Sequence, residues 1–317
     1  MERLEEEVSP EAFWKDYIQK LKPCLIGNWL TDSWSSRKDW VKEERIDVDF
    51  LMEKYGHLQV PVTNCSTEDF KCSSMLFREY LRYLQERRRN ASEDILYCKD
   101  WHLALIDKTF YEWPEFFRKD WLNEYCLKTD FSDSDYRFVY IGVKDTKTPL
   151  HRDVLASHSW SSNVVGKKLW HFWKDPLPER LLGTYSTDGE FLKTADLVVV
   201  QNSGETIFVP SGWFHQVKNL EDTISINHNW INEASIQNTW KHLLEELKAV
   251  EEELEYLHSG MEDAEWTETC QKILKAQTSM DFEDFRKFLQ FFEDRAQIAK
   301  DLLIEVQKSI SASKSEE

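Results

Sequence analysis

The sequence predicts an α+β protein, because a helical pattern opens the chain, short strands crowd its middle, and long amphipathic helical patterns follow. Ser9 and Pro10 read as N-cap and first helical residue. Phe13, Trp14, Tyr17, Ile18 and Leu21 then recur at helical spacing until Pro23, so a helix is expected over 10–21. Cys24 to Ile26, Leu58 to Val62 and Ile95 to Tyr97 read as short strands, with a helical stretch at Met75 to Glu86. From Tyr136 to Asn232 the texture changes to strands over Arg137–Val143, Pro149–Leu155, Lys167–Trp173, Leu197–Gln201, Glu205–Val209, Gln216–Lys218 and Thr223–Trp230. Strands at such close intervals predict a small sandwich or barrel. Beyond it, Trp240, Leu243, Leu244, Leu247, Val250, Leu254 and Leu257 mark one face of a long acidic helix. A second helix is expected to carry Phe282, Phe285, Phe288, Leu289, Phe292, Ile298, Leu302 and Val306. This helical hairpin or bundle either packs into the core or presents an apolar face for a homodimer. The expected divisions are a mixed region over 1–135, a strand core over 136–232, helices over 233–308 and a disordered tail over 309–317.

At 317 residues, with 41% hydrophobic and 14% aromatic content, the chain has ample apolar area for a sizeable core. A formal net charge of −18 disfavours a surface that tracks phosphates and points to a basic polypeptide partner instead of nucleic acid. The basic run Arg87 to Arg89 reads as a solvated helix end or loop. Met1 to Val8 is acidic and lacks an apolar leader, and no stretch approaches a membrane span, so a soluble, cytoplasmic protein without membrane attachment is expected. Cys24, Cys65, Cys72, Cys98, Cys126 and Cys270 form no CxxC pair and read as reduced, mostly buried thiols. The sequons at Asn64 and Asn90 then have no role, since glycosylation needs a secretory route.

In a strand, residues two apart point to the same side, so His151 and Asp153 present an imidazole and a carboxylate together. His215 offers a third ligand after the tight turn that Pro210 and Gly212 make. Two histidines and a carboxylate leave three octahedral positions open, which non-haem Fe(II) uses for a bidentate oxoacid and dioxygen. Zinc accepts the same donors, but the helical HExxH of zinc hydrolases is absent from the sequence. An HxD pair alone is weak, since strand histidines commonly pack in cores. His57, His102, His242 and His258 read as structural or exposed, while His158, His171 and His228 lie nearer the site and read as packing residues or supports.

The blocks Asp135-Tyr-Arg-Phe-Val-Tyr-Ile-Gly142, Thr148 to Asp153, Gly166-Lys-Lys-Leu-Trp170 and Phe208-Val-Pro-Ser-Gly-Trp-Phe-His-Gln-Val217 resemble, in order and spacing, the JmjC domain family. Lys22-Pro-Cys-Leu-Ile-Gly27 and Tyr55-Gly56 are similar to its amino-terminal strands. Leu96 to Leu103, Asp120 to Glu124 and Asp222 to Trp230 resemble a branch of lysyl hydroxylases acting on the translation termination factor. The resemblance implies a double-stranded β-helix, a jelly-roll or cupin-like barrel, with amino-terminal helices and a carboxyl-terminal helical region. It implies Fe(II) on His151, Asp153 and His215, with 2-oxoglutarate and O2 as cosubstrates and the release factor as partner. The cosubstrate lysine falls on Lys168, with Lys167 as a rival; Lys168 shares a face with Trp170 and Phe172, where an ammonium is costly unless it meets a carboxylate. Thr148 and Tyr97 match the family's hydroxyl donors, while Ser161 stands where the family has a pocket asparagine.

Strand Thr223–Trp230 alternates, with Thr223, Ser225, Asn227 and Asn229 on one face, which suits either a polar cosubstrate pocket lined by Asn227 and Asn229 or a solvent-facing edge. The implied activity is hydroxylation of a lysine side-chain carbon. Two alternatives stay open: an Nε-methyl-lysine demethylase, and a catalytically silent binding module. No Cys/His-rich reader module accompanies the motifs, which favours the hydroxylase, and the intact ligand set speaks against the silent module.

Overall fold

A computed structural model describes residues 1–67, 70–89, 94–132, 134–174 and 177–312. The strands fall into two principal sheets. The larger is nine-stranded, in the order Glu2–Leu4, Cys24–Ile26, Thr206–Val209, His158–Val165, Thr223–Trp230, Arg137–Gly142, Leu96–Trp101, Gln59–Asn64 and Cys72–Leu76. The smaller is four-stranded, in the order Leu197–Gln201, Lys168–Trp173, Phe214–Asn219 and Lys147–Arg152. This is the mixed α+β arrangement that the sequence predicts, in the cupin-like form that the family resemblance implies.

Strand periodicity gives each sheet an inner and an outer face. Leu25, Ile207 and Val209 from the large sheet pack with Trp170, Phe172 and Val217 from the small one in a single buried cluster, so these residues mark the interior. The outer face of the large sheet is covered by aromatics: Trp160 lies against Trp34, Tyr111 and Phe117, and stacks on His228 at 4.1 Å. The outer face of the small sheet carries Leu150, Trp173 and Phe214, closed over by Leu177, Leu181, Phe191, Leu192 and Ala195. Gln201 ties the layers together, accepting from the Trp170 indole at 2.9 Å and donating to the Ser161 carbonyl at 2.7 Å.

Several elements depart from expectation. Ser9 caps the first helix by accepting from the Ala12 amide, but after Phe13 the helix passes into one π-helical turn and stops at Ile18, with Leu21 left-handed at φ 48°. Met75 lies in the strand Cys72–Leu76, and the helix follows at Phe77–Arg87. The strand expected over Pro149–Leu155 ends at Arg152, and Leu155 and Ala156 turn left-handed. The eight-residue strand His158–Val165 was not anticipated; its serines and asparagine read as turn formers. Five of the cysteines are buried and Cys72 is exposed, all with free thiols. Arg88 and Arg89 are exposed just after the helix Phe77–Arg87, and the sequon at Asn90 lies outside the described residues. No helix among the described residues is long and apolar enough to cross a membrane.

Contacts divide the chain into two compact units: Met1–Arg118, Ser134–Asp153 and His158–Asn229 hold the sheets, while Lys119–Asp133, Val154–Ser157 and Trp230–Glu317 form a helical unit. In the helical unit, the long helix is Ile236–His258, but three further helices follow: Asp263–Thr278, Phe282–Phe292 and Gln297–Ala312. The capping box of Asp281 and Asp284 starts Phe282–Phe292, and residues 293–296 break what was expected to be one helix. Val250, Trp266 and Cys270 pack with Leu247, Leu254, Met261 and Ile273, so much of the apolar stripe is used within the unit. Residues 309–312, expected in a disordered tail, continue the last helix; 313–317 lie outside the described residues.

Two substitutions differ in their burial. Ile207→Ala, at a fully buried position between the sheets, should cost about 2–5 kcal/mol in urea unfolding. Val198→Ala, at a position 53% exposed, should stay within about 0.5 kcal/mol.

Candidate metal and cosubstrate site

His151 and His215 face each other across the paired strands Lys147–Arg152 and Phe214–Asn219, with ring centroids 4.2 Å apart. Asp153 follows just past the strand end, and one of its oxygens lies 4.0 Å from His151 Nε2. A donor atom from each of the three lies within 4.8 Å of the other two, a grouping that could hold a metal ion. Asp153 therefore reaches the cluster from just beyond the strand end and does not share a strand face with His151.

Neighbouring groups orient the donors. His151 Nδ1 lies 2.8 Å from the Pro149 carbonyl, which fixes the proton there and leaves Nε2 with its lone pair. The Ser159 hydroxyl donates to one Asp153 oxygen at 2.7 Å and leaves the other toward the histidines. His215 is buried beside Trp170 and Phe172; burial first, and the adjacent His151 second, push its imidazole down to about 3, so it is neutral at physiological pH. His158 accepts from the Ser211 amide at 2.9 Å, holding the turn that delivers His215. His151 keeps 36% of its side chain exposed, so the cluster has an open side.

A second feature lies in the same interior. Lys168 points inward with Trp170 and Phe172 and is only 2% exposed. Its ammonium donates to the Ser225 hydroxyl at 2.7 Å and lies 5.9 Å from the Tyr140 ring centroid, and no carboxylate of the described residues neutralises it. The rival Lys167 is at the surface, paired with Glu221. Ser225 places the polar face of strand Thr223–Trp230 inside, and Asn227 and Asn229 share that face, both nearly buried. Ser161 is also inward, opposite Ile207, and its buried hydroxyl has no hydrogen-bond partner among the described residues.

Thr148 stands three residues before His151, a spacing that regular alternation would place on the opposite face. A register break on this strand puts Thr148 opposite Val217 while His151 stays opposite His215, so both face inward. Tyr97 is buried opposite Gly142, hydrogen-bonded by Asn219, with its ring 5.9 Å from that of Tyr140. A Cβ at Gly142 would come within 2.4 Å of the Thr146 hydroxyl and 2.6 Å of the Asn219 amide, so this close packing requires glycine. Sequence reasoning missed Ser159, Ser225, Tyr140 and Asn219. The inward parity of strand Thr223–Trp230 already signalled Ser225; the others depend on register between distant strands.

Comparison with known proteins places these residues in context. A model described as JmjC domain, hydroxylase matches residues 193–230, and a cupin-like domain model matches residues 10–182. The 2-oxoglutarate and iron-dependent oxygenase JMJD4 of Gallus gallus is 38% identical over 306 residues, 88% of this chain and 70% of that protein. The protein of the same name from Homo sapiens is 36% identical over 309 residues, 89% of this chain and 73% of that one. The Arginine-specific demethylase JMJ20 of Arabidopsis thaliana is 37% identical over 318 residues, 90% of this chain and 68% of its own length.

Burial pushes Lys168 down from 10.5 to about 7. Between those values the unfolded chain holds a proton that the folded one lacks, so this group makes ligand-free stability rise with pH across that window. Lys168→Met should therefore raise the urea midpoint near pH 7 and remove that component of the rise, read as the difference between wild type and variant from pH 7 to 10.

Proposed function

We propose, from the premise that the chain belongs to the JmjC family of 2-oxoglutarate- and iron-dependent oxygenases, that it is a protein hydroxylase with His151, Asp153 and His215 as its iron ligands. The observation that carries this reading is the coexistence, inside one barrel, of an open-sided His/Asp/His cluster and a buried ammonium without a carboxylate. His151, Asp153 and His215 would hold iron from one side, and the open side of the cluster would leave room for an oxoacid and dioxygen. Bound iron and 2-oxoglutarate supply the oxidising chemistry, one oxygen atom of O2 entering the substrate C–H bond and the other leaving in succinate, with release of CO2.

The residues of this chain bind, orient and exclude water. Lys168 takes the distal carboxylate of 2-oxoglutarate, which gives its buried charge the counter-charge it lacks, and Ser225 aims it. Thr148, Tyr97, Asn227 and Asn229 line the same interior as cosubstrate-binding groups. Ser159 and the Pro149 carbonyl fix the ligand set. Trp170, Phe172 and Trp213 dry the wall behind His215.

The substrate in this reading is a lysine side-chain carbon of a translation termination factor, encountered in the cytoplasm. The resemblance of Leu96 to Leu103 and Asp222 to Trp230 supports that assignment, and the net charge of −18 suits a basic polypeptide. The likeness to the Arginine-specific demethylase JMJ20 supports a second reading, in which the same machinery oxidises an N-methyl carbon that then leaves as formaldehyde.

Mass spectrometry separates the two. After incubation with Fe(II), 2-oxoglutarate and air, a termination-factor lysine should gain one oxygen, and His151→Ala should abolish the gain. Loss of a methyl group from methylated lysine or arginine peptides, without that gain, would establish the demethylase instead. Ser159→Ala should lower iron affinity or turnover by about 10–100-fold, the usual effect of losing a group that orients a ligand, measured by iron titration.

A further inference from the structure

Strand Leu96–Trp101 is irregular where it passes the barrel interior. Cys98 pairs with Ile141 and Trp101 with Val139, so Lys99 and Asp100 together oppose the single residue Tyr140. A regular strand would send Asp100 outward with Cys98. The break instead turns its carboxylate to the Tyr140 side, with Asp100 left-handed at φ 60°, a conformation that residues with a Cβ seldom adopt. Across the sheet, the Tyr140 hydroxyl donates to Asp100 Oδ1 at 2.7 Å. The other oxygen lies 3.4 Å from the adjacent Lys99 ammonium, at a position where Asp100 is 49% exposed.

The Tyr140 ring is the aromatic surface next to Lys168, whose ammonium lies 5.9 Å from its centroid and otherwise meets the Ser225 hydroxyl. A phenol that donates to a carboxylate gains electron density in its ring and holds that ring in one rotamer, and a cation over the ring face is stabilised by that density. A neutral lysine could not attract a distal carboxylate, so a group that favours the charged form serves the binding of an anion.

We propose that Asp100 and Tyr140 act as one positioning unit for cosubstrate selection: Asp100 fixes Tyr140, and the Tyr140 ring face holds the Lys168 ammonium in place, aimed at the distal carboxylate of a dicarboxylic 2-oxoacid. The inference rests on the cosubstrate role given to Lys168 above. It assigns a use to the strained residue and the register break, which the metal ligands alone leave unexplained.

Calorimetry on the full chain loaded with Mn(II) under anaerobic conditions tests it, with 2-oxoglutarate and pyruvate as ligands. Pyruvate carries the same chelating keto acid without the distal carboxylate. Tyr140→Phe and Asp100→Asn should each weaken 2-oxoglutarate binding by about 5- to 10-fold and leave pyruvate unchanged. The double variant should be no weaker than either single one, because the two residues act in series. Asp100→Gly should keep or raise the urea midpoint, since glycine accepts the left-handed backbone, and still lose 2-oxoglutarate affinity. Equal weakening of both ligands, or unchanged affinity in all variants, would overturn the positioning role alone. Failure of the unsubstituted protein to bind 2-oxoglutarate would overturn the cosubstrate reading and this inference with it.

Discussion

A lysine amine sits inside the barrel with a hydroxyl and an aromatic ring for company, and the rest of the site is intelligible from that constraint. Lys168 is on the inner face because its strand alternates and because Trp170 and Phe172, two and four residues on, are committed to the core between the sheets. Turning the lysine outward would turn those aromatics outward with it. The cost of burying the cation is thus tied to the packing that builds the barrel, and a dianionic ligand offsets it where an apolar one would not. In the proposed function, that requirement favours a ligand with a carboxylate at each end, one for the ammonium and one for a metal.

The two halves of the site draw on different local structure. The triad depends on one antiparallel strand pair and on the turns that end it, where the Pro149 carbonyl, Ser159 and His158 fix the histidines and the aspartate in orientation. The anion end depends on contact between sheets, with Lys168 from the small one meeting Ser225 and Tyr140 from the large one. Register breaks occur at both ends. One brings Thr148 to the face of His151, and the other brings Asp100 to Tyr140. In each case a bulge re-aims one side chain without disturbing its neighbours, which a regular strand cannot do.

Much of this was legible from residues alone. The alternation in Thr223–Trp230 placed its polar row on one face, the motif spacing brought out His151, Asp153 and His215, and the preference for Lys168 over Lys167 agrees with burial. What was hidden had physical causes. His158–Val165 carries serines and an asparagine before its two terminal valines, because Ser159 on its inner face meets Asp153 while Trp160 on its outer face packs under the amino-terminal aromatics. Asp263–Thr278 has a weak apolar stripe that gains meaning only against Val250 and its neighbours. Bulges leave no mark in hydropathy, so the inward turn of Asp100 was unreadable before the pairing of Tyr140 was known.

Anomalous scattering from crystals grown anaerobically with Mn(II) and 2-oxoglutarate bears most directly on the assignment of this interior. The predicted result is one metal peak within coordination distance of His151, Asp153 and His215, with the chelating end of the ligand on the metal and its far carboxylate on the Lys168 ammonium. A metal bound elsewhere, or a ligand whose far carboxylate lies away from Lys168, would contradict it.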